Sequence, residues 1–545
     1  MKKTIAALIL LGVLVTACGG PPVAPTAAPT AGAPPSAIVD SPVLPGPNCE
    51  DDETGTRVMV VVLDGVRPDY LDLAPMPNLE GIEQEGTSYE HAWVGQLIGV
   101  TPPSHASINT GVFSRRHGVL GFEWADQFGT WITLFEGVGE GRISRLIIQS
   151  GVPTFADLVR ELYPCAHSVA ISGPKVHAAE AMGGRTSADW ILYASTSKQP
   201  SAEGWSQYSD VQPAAVPGHE PPAEVLQHTD LSEPGPLGPE DLDRWTVDVA
   251  LMLLQRYQPR LLMVNLAAAD VVGHATGGVN SDRMSSVMAS LDKQLGRLID
   301  WYRQEGMLED TTIIVTSDHG MVPNERNVKK GAIFEALEDS GAGRQESVTA
   351  WTHIWLTNPS KAGEAAEAIS MLQDPAILGV YYKEPGDSNY LLAPGSKLEE
   401  PMQATLSYLL STYVGPTGPD LVIILPENTL LGKWPEGSHG SHEVITWGAQ
   451  HVVLTIYGPG IKKGKVSDYP ARLVDIVPTV ASLMGLIHQD WDGIVLADAP
   501  QKPASEDLVV QQNKQRELGP LVYALCAQSA LDRGLPTTEC ESITR

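Results

Sequence analysis

The feature that most constrains this chain is the apolar, largely β-branched run Val58-Met59-Val60-Val61-Val62-Leu63, which ends abruptly at Asp64-Gly65. A strand with no polar face has to be covered on both sides, as in a parallel sheet sandwiched between helices. The same shape recurs at Leu261–Leu266, followed by Asp270, and at Thr312–Ser317, followed by Asp318-His319-Gly320. A fourth run, Val452–Ile456, leads into Gly458-Pro459-Gly460. Helical patterns lie between them at Leu242–Tyr257, Asp282–Gln304 and Pro470–Gly485. This alternation predicts an α/β fold with a mostly parallel central sheet flanked by helices. In such sheets the ligand site lies beyond the carboxyl ends of the strands, where these acidic residues and His319 stand.

Two stretches interrupt the alternation. Residues 196–240 are rich in Ser, Pro and Glu with little periodicity, and are expected to form a loop or lid. Residues 335–435 carry their own small patterns at Ala350–Leu356, Lys361–Leu372 and Leu421–Leu425, which predicts a cap subdomain inserted into a catalytic domain spanning 55–500. Residues 501–545 are expected to be an appended tail.

The first eighteen residues have the form of an export address. Lys2-Lys3 precede an apolar run, Ile5–Val15, too short to span a bilayer as a helix. Leu14-Val15-Thr16-Ala17-Cys18 resembles the lipobox of bacterial lipoproteins. That resemblance implies cleavage before Cys18, diacylation of its thiol and anchoring at the outer face of a bacterial membrane. Residues 19–54, rich in Pro, Ala, Gly and Thr, are expected to be a tether. An even set of cysteines then remains, Cys49, Cys165, Cys526 and Cys540, and in an exported protein such a set suggests disulfides. Cys526–Cys540 would close a short local loop, with Cys49–Cys165 as its complement.

Charge narrows the partners. Lys and Arg number 36 against 65 Asp and Glu, a formal net charge of −29 with no local basic patch, so nucleic-acid binding is not expected. An anionic substrate would need bound cations to hold it. Hydrophobic residues make up 43% of the 545, enough for a sizeable core. Nothing in the sequence speaks to the oligomeric state.

The residues at the strand ends have ordinary readings one at a time. Asp64 suits a helix cap or a turn as well as a metal. Asp318-His319 place a hard and a borderline ligand side by side. Asp270 and His274, four apart, share a helical face and can chelate one ion. His439, within Gly437-Ser438-His439-Gly440, would alone be a solvated loop histidine. Thr101, followed by Pro102-Pro103, sits where a helix would begin, either as a cap or as a hydroxyl facing an anion site.

Taken in order, these segments resemble the alkaline phosphatase superfamily, and within it the type I phosphodiesterase/nucleotide pyrophosphatase family. The matching pieces are Val61–Arg67, Met76–Leu79, Thr101–Ala106 through Thr110-Gly111, Arg116–Val119, Asp270–His274, Asp292, Ser317–Met321, Ser438–Gly440, Gly458–Ile461 and Val474–Thr479. The resemblance implies an alkaline-phosphatase-like fold and two divalent metal ions, usually zinc, about 4 Å apart. Asp270, His274 and His439 would hold one, and Asp64, Asp318 and His319 the other. Thr101 would be the nucleophile, forming a phospho-threonine that water then hydrolyses.

The sequence also departs from the family. Gly121-Phe122 occupies the region where many relatives carry a phosphate-binding Asn. Lys175 and His177, in Ser172–Ala178, fall where some monoesterase and phosphonate-cleaving relatives place two basic residues. A cation there would favour a dianionic monoester. The expected activity is therefore a phosphodiesterase or nucleotide pyrophosphatase. A phosphomonoesterase or phosphonate hydrolase is the alternative, and a binding protein that kept the fold without turnover is a further one.

Overall fold

The computed structural model describes residues 55–126, 128–135, 139–184, 187–200, 206–227, 236–278, 281–344, 352–372, 374–413, 415, 417–432, 438–486, 490–501 and 506–543. The segments expected to be a signal and a tether, with Cys18 and Cys49, lie outside these residues.

The strands of the main sheet are β1 (Arg57–Leu63), β2 (Thr87–Tyr89), β3 (Ser168–Ser172), β4 (Trp190–Pro200), β5 (Ser206–Ala215), β6 (Leu261–Leu266), β7 (Thr311–Thr316), β8 (Leu454–Tyr457) and β9 (Lys465–Ser467). Their order is β9-β2-β8-β7-β1-β6-β3-β4-β5. The centre is parallel: β1 pairs with β7 and β6, β6 with β3, and β3 with β4. The fourth apolar run, which becomes β8, is antiparallel to β7. The helices used below are α1 (Thr101–Thr110), α2 (Phe155–Leu162), α3 (Pro239–Tyr257), α4 (Ala268–Thr276), α5 (Asp282–Gln304), α6 (Glu400–Ser411), α7 (Ile476–Leu483) and α8 (Gly519–Asp532).

The all-apolar runs are explained by what covers them. Alternate residues of a strand point to opposite faces. Met59, Val61 and Leu63 join one core with Leu262, Val264 and residues of α3 and α5. Val58, Val60 and Val62 join the other with Leu261, Met263 and residues of α2 and α7. Asp292 on α5 accepts from the backbone amides of Asn78 and Leu79 at 3.1 and 2.9 Å, which ties the helix Pro77–Glu85 to this layer.

The 196–240 stretch differs from its expected loop. Its beginning completes β4, and β5 returns antiparallel, with a register shift between Ser195 and Ser197. An edge hairpin needs no apolar second face, and its polar composition hides it among loops. Within 335–435, His353–Ile354, Leu421–Ile424, Gly379–Lys383 and Tyr390–Leu392 form a separate antiparallel sheet. The C-terminal residues are helical, and α8 packs beside α6 in one apolar cluster. Cys526 and Cys540 are disulfide-bonded, as the short loop predicted. Cys165 is also in a disulfide. None of the described helices is long and apolar enough to cross a membrane.

His117, one of the motif histidines, has a structural role. Its Nδ1 accepts from the Val119 amide at 3.1 Å, and its Nε2 lies 3.1 Å from Ser107 Oγ, whose own proton goes to Gln96 Oε1. A second ring proton would face the Val119 N–H, and burial pushes the imidazole down to about 3. The unfolded chain, with an ordinary histidine, takes up this proton first as pH falls. The stability His117 contributes is therefore complete above about pH 6.5. It should drain by about 1.4 kcal/mol per pH unit as the pH falls toward the folded value. Urea unfolding at pH 7 and pH 5 should show a smaller difference for His117→Gln than for the unaltered chain.

Candidate metal centre

The carboxyl ends of the three central strands deliver the site. Asp64 follows β1 directly, and its backbone amide still bonds Leu266 O on β6 at 3.0 Å. Asp318 follows β7 after Ser317, and Asp270 lies on α4, just beyond β6. Gly65 makes the convergence possible. It has a φ of +74°, its amide donates to Asp318 Oδ1 at 3.1 Å, and a Cβ there would stand 2.9 Å from Asp270 Cα. All three carboxylates are buried.

Three imidazoles face them. His319 Nε2 lies 3.3 Å from Asp318 Oδ2 and 3.6 Å from Asp64 Oδ1. His274 Nε2 is 3.4 Å from Asp270 Oδ1, and His442 Nε2 is 3.6 Å from the same oxygen. Each ring is held from behind in the same way. Nδ1 of His319, His274 and His442 lies 2.9 Å from the carbonyl of Gly320, Gly440 and Gly99 respectively. With the Nδ1 proton donated to a carbonyl, each Nε2 keeps its lone pair for the centre, the arrangement that metal-binding histidines use. The rings of His319 and His442 stack at 3.6 Å, 10° from parallel.

The donor set fits divalent metal. Asp64, Asp318 and His319 gather in one cluster, and Asp270, His319 and His442 in another, with ligand atoms within 4.8 Å of one another. Asp270 Oδ1 and Asp318 Oδ2 are buried without any hydrogen-bond partner. Burial and the neighbouring Asp318 push Asp64 up to about 6. Burial pulls His319 down to about 4, and burial together with the His319 and His274 rings holds His442 well below the ordinary range. Burial would also lower His274, but Asp270 outweighs it and pushes this ring up to about 8. Carboxylates crowded out of water beside the neutral His319 and His442 rings call for positive charge.

One cation is present in the chain itself. Lys175 Nζ lies 2.7 Å from Asp64 Oδ1, 2.6 Å from Asp270 Oδ2 and 3.2 Å from Thr101 Oγ1. Burial works against its charge, and the two aspartates more than offset this. Thr101 opens α1 and is buried, with Oγ1 3.5 Å from His319 Nε2. Behind it, His105 Nδ1 meets Thr101 O at 2.8 Å and Nε2 meets Asn265 Oδ1 at 3.0 Å. Asn265 in turn donates to Asp64 Oδ2 at 2.9 Å. This chain of contacts fixes Thr101 relative to Asp64.

Two expected site residues lie elsewhere. His439 is exposed. Its amide donates to His274 O and its carbonyl accepts from the Asn324 amide, so it contributes backbone rather than a ring. His442 occupies the place expected for it. The chain reads Gly437-Ser438-His439-Gly440-Ser441-His442, a tandem Gly-Ser-His in which the second copy points inward. His177 places Nε2 2.9 Å from Leu134 O and its ring edge-on to Phe122 and Phe135, outside the cluster. Asn265 is the penultimate residue of the otherwise apolar β6, and a buried amide there was itself the overlooked signal.

The family model for type I phosphodiesterase / nucleotide pyrophosphatase matches residues 58–442. The chain belongs to that family. Its members are metal-dependent hydrolases, in keeping with the clustered ligands. Among its relatives is the mouse bis(5'-adenosyl)-triphosphatase enpp4, 22% identical over 460 residues, which cover 80% of this chain and 79% of the relative. The fold resembles wild-type alkaline phosphatase PafA, with a TM-score of 0.62 and 17% identity over 82% of this chain and 99% of that one. It also resembles murine ectonucleotide pyrophosphatase / phosphodiesterase 5, with a TM-score of 0.53 and 17% identity over 80% and 97% of the two chains. An inactive threonine-to-alanine form of the murine protein was solved with AMP and gives a TM-score of 0.52 at 16% identity.

The tandem Gly-Ser-His separates the two histidines experimentally. His442→Ala should lower bound metal measured by plasma emission, whereas His439→Ala should leave it unchanged. Gly65→Ala should weaken metal affinity about 10- to 100-fold by displacing Asp270, the scale of a lost supporting contact.

Proposed function

We propose that this chain is an exported phosphoester hydrolase that works through a phosphothreonine on Thr101 and is lipid-anchored through Cys18 at the outer face of a bacterial membrane. The observation that carries the reading is the position of Thr101 Oγ1 at the first turn of α1, 3.5 Å from His319 Nε2 and 3.2 Å from Lys175 Nζ. A hydroxyl buried among metal-ligand side chains and an ammonium is placed for attack rather than for capping alone. Pro102 and Pro103 carry no N–H and the Ser104 amide is bonded to Val100 O, so the helix start offers a phosphoryl oxygen the Thr101 amide and its dipole. The inactivity of the murine threonine-to-alanine form supports the same assignment.

Asp64, Asp318 and His319 would hold one divalent ion, and Asp270, His274 and His442 the other. Bound there, two such ions would lower the barrier by stabilising charge on the attacking and departing oxygens. Thr101 Oγ forms a bond to phosphorus as the bond to the leaving oxygen breaks. Water then attacks the same phosphorus, breaks the Oγ–P bond and restores the threonine. Asn265 and His105 keep Thr101 in register with Asp64 through both steps.

Lys175 favours a second reading within the same chemistry. Its ammonium reaches the nucleophile oxygen itself, so it can meet a non-bridging oxygen of the bound phosphoryl group. A monoester or phosphonate carries more charge there than a diester, and a fixed cation favours it. The diesterase and pyrophosphatase activities that name the family remain the first reading.

Metal-loaded protein starting at residue 49 should release p-nitrophenol from a p-nitrophenyl phosphate ester, and chelator should abolish the release. Thr101→Ala should lose at least about 1000-fold in kcat. Unchanged turnover in this variant would remove Thr101 as nucleophile. Lys175→Ala should cost the monoester about 100- to 1000-fold and the diester far less, and equal losses would remove the monoester reading. For the anchor, full-length chain expressed in a bacterium should partition into detergent phase, and Cys18→Ser should shift it to the aqueous phase.

A further inference from the structure

The three carboxylates of the metal centre are not held alike. Asp64 follows β1 directly and Asp318 lies two residues beyond β7, so the sheet itself fixes them. Asp270 lies four residues beyond β6, inside α4, and its place depends on how that helix is seated. The C-terminal end of α4 is tied to the loop that carries His442. There the His439 amide donates to His274 O at 2.6 Å, and His274 Nδ1 lies 2.9 Å from Gly440 O. The N-terminal end has no tie of its own. It begins Ala267-Ala268-Ala269, and alanine has no side chain with which to cap a helix.

The missing acceptor comes from another helix. Asp243 of α3 accepts from the Ala267 amide through Oδ1 at 2.7 Å and from the Ala268 amide through Oδ2 at 3.2 Å. Asp243 is 2% exposed and is the one charged side chain among the buried residues of α3. Its neighbours on that helix pair with cations, Glu240 with Arg283 and Asp241 with Arg244. Among the described residues no cation forms an ion pair with Asp243. Burial pushes its carboxyl up to about 8; the two amides oppose this rise, and Glu240 and Asp64 add to it. A carboxylate kept out of water without a counter-charge is costly and calls for an explanation. A neutral amide of the same shape would avoid the charge, but it would turn an N–H toward one of the two donors. Two acceptor oxygens on one rigid group answer the two orphan amides together.

We propose that Asp243 is a positioning residue of the metal centre: by holding the amides of Ala267 and Ala268 from α3, it fixes where Asp270 and His274 present their ligand atoms. The inference rests on the two-metal reading above and concerns the ion assigned to Asp270, His274 and His442. With the Gly-Ser-His loop at one end and Asp243 at the other, α4 is clamped between two elements that hold no other ligand of Asp64's ion.

Bound metal, rather than turnover, tests this. Full-length chain is equilibrated with zinc buffered at graded free concentrations, at about pH 8.5 so that Asp243 is ionised, and zinc is measured by plasma emission. Asp318→Ala leaves the ion on the α4 side, and His442→Ala leaves the other. Asp243→Asn, which keeps one acceptor, should weaken zinc about tenfold in the Asp318→Ala background and leave it unchanged in the His442→Ala background. Asp243→Leu, which keeps none, should weaken the same ion about 100-fold. Melting temperature shows whether each variant folds, and if Asp243→Leu does not, the Asn variant decides alone. Unchanged zinc affinity in Asp243→Asn, or equal losses in both backgrounds as a merely structural role would give, would overturn the proposal and leave the two-metal reading standing. An unaltered chain that takes up no zinc would sink that reading, and the proposal with it.

Discussion

Asp64, Asp270 and Asp318 stand at the ends of three adjacent strands, out of water, and the ammonium of Lys175 is bonded to two of them. Like charges gathered in a medium of low polarizability are expensive, and a fold does not assemble them without a use. The surroundings reduce the cost step by step. Gly65 turns its amide toward Asp318, Asn265 turns its amide toward Asp64, and the His274 ring, pushed up to about 8 by Asp270, sets positive charge beside that carboxylate. What remains, unpaired oxygens on Asp270 and Asp318, is the demand that a divalent ion satisfies.

Much of this was legible in the sequence, because the same physics writes both patterns. Strands covered on both faces must be apolar throughout, so β1, β6 and β7 stood out, and the first polar residues after them had to lie at the sheet's edge. Helices α3 and α5 were visible through their amphipathic spacing. The edge hairpin β4–β5 was not, since a strand pair with a wet face carries Ser, Gln and Pro as a loop does. Direction was also hidden in part. The run that forms β8 is as apolar as its parallel neighbours, and only the pairing reveals that it runs the other way.

The ligand set shows a finer limit. Residue type and spacing located Asp270, His274, Asp318 and His319, where a strand end or a helical face fixes direction. They failed at the tandem Gly-Ser-His, where two identical tripeptides differ only in which one the backbone turns inward. Gly440 O is bonded to His274 and His439 N to His274 O, and these bonds set the register. Lys175 was legible as a cation, and its ammonium meets Asp64, Asp270 and Thr101. His177 was misplaced because a basic residue two positions on a helix start points to another side, here toward Leu134 and the phenylalanines.

The C-terminal helix gives the loop carrying His442 an unexpected support. Ser529 Oγ on α8 accepts from the Trp447 amide at 2.8 Å, a few residues beyond His442, and Leu521 O accepts from Thr405 Oγ1 on α6 at 2.9 Å. Asp532 Oδ2 accepts from the Glu427 amide at 3.0 Å, and the Cys526–Cys540 bridge ties the middle of the same helix to the turn Thr537–Cys540. A segment with no chemistry of its own therefore ties the chain just beyond His442 to the inserted subdomain. Clipping it by protease would leave every reacting group in place in the sequence and yet slacken the geometry that lets them meet.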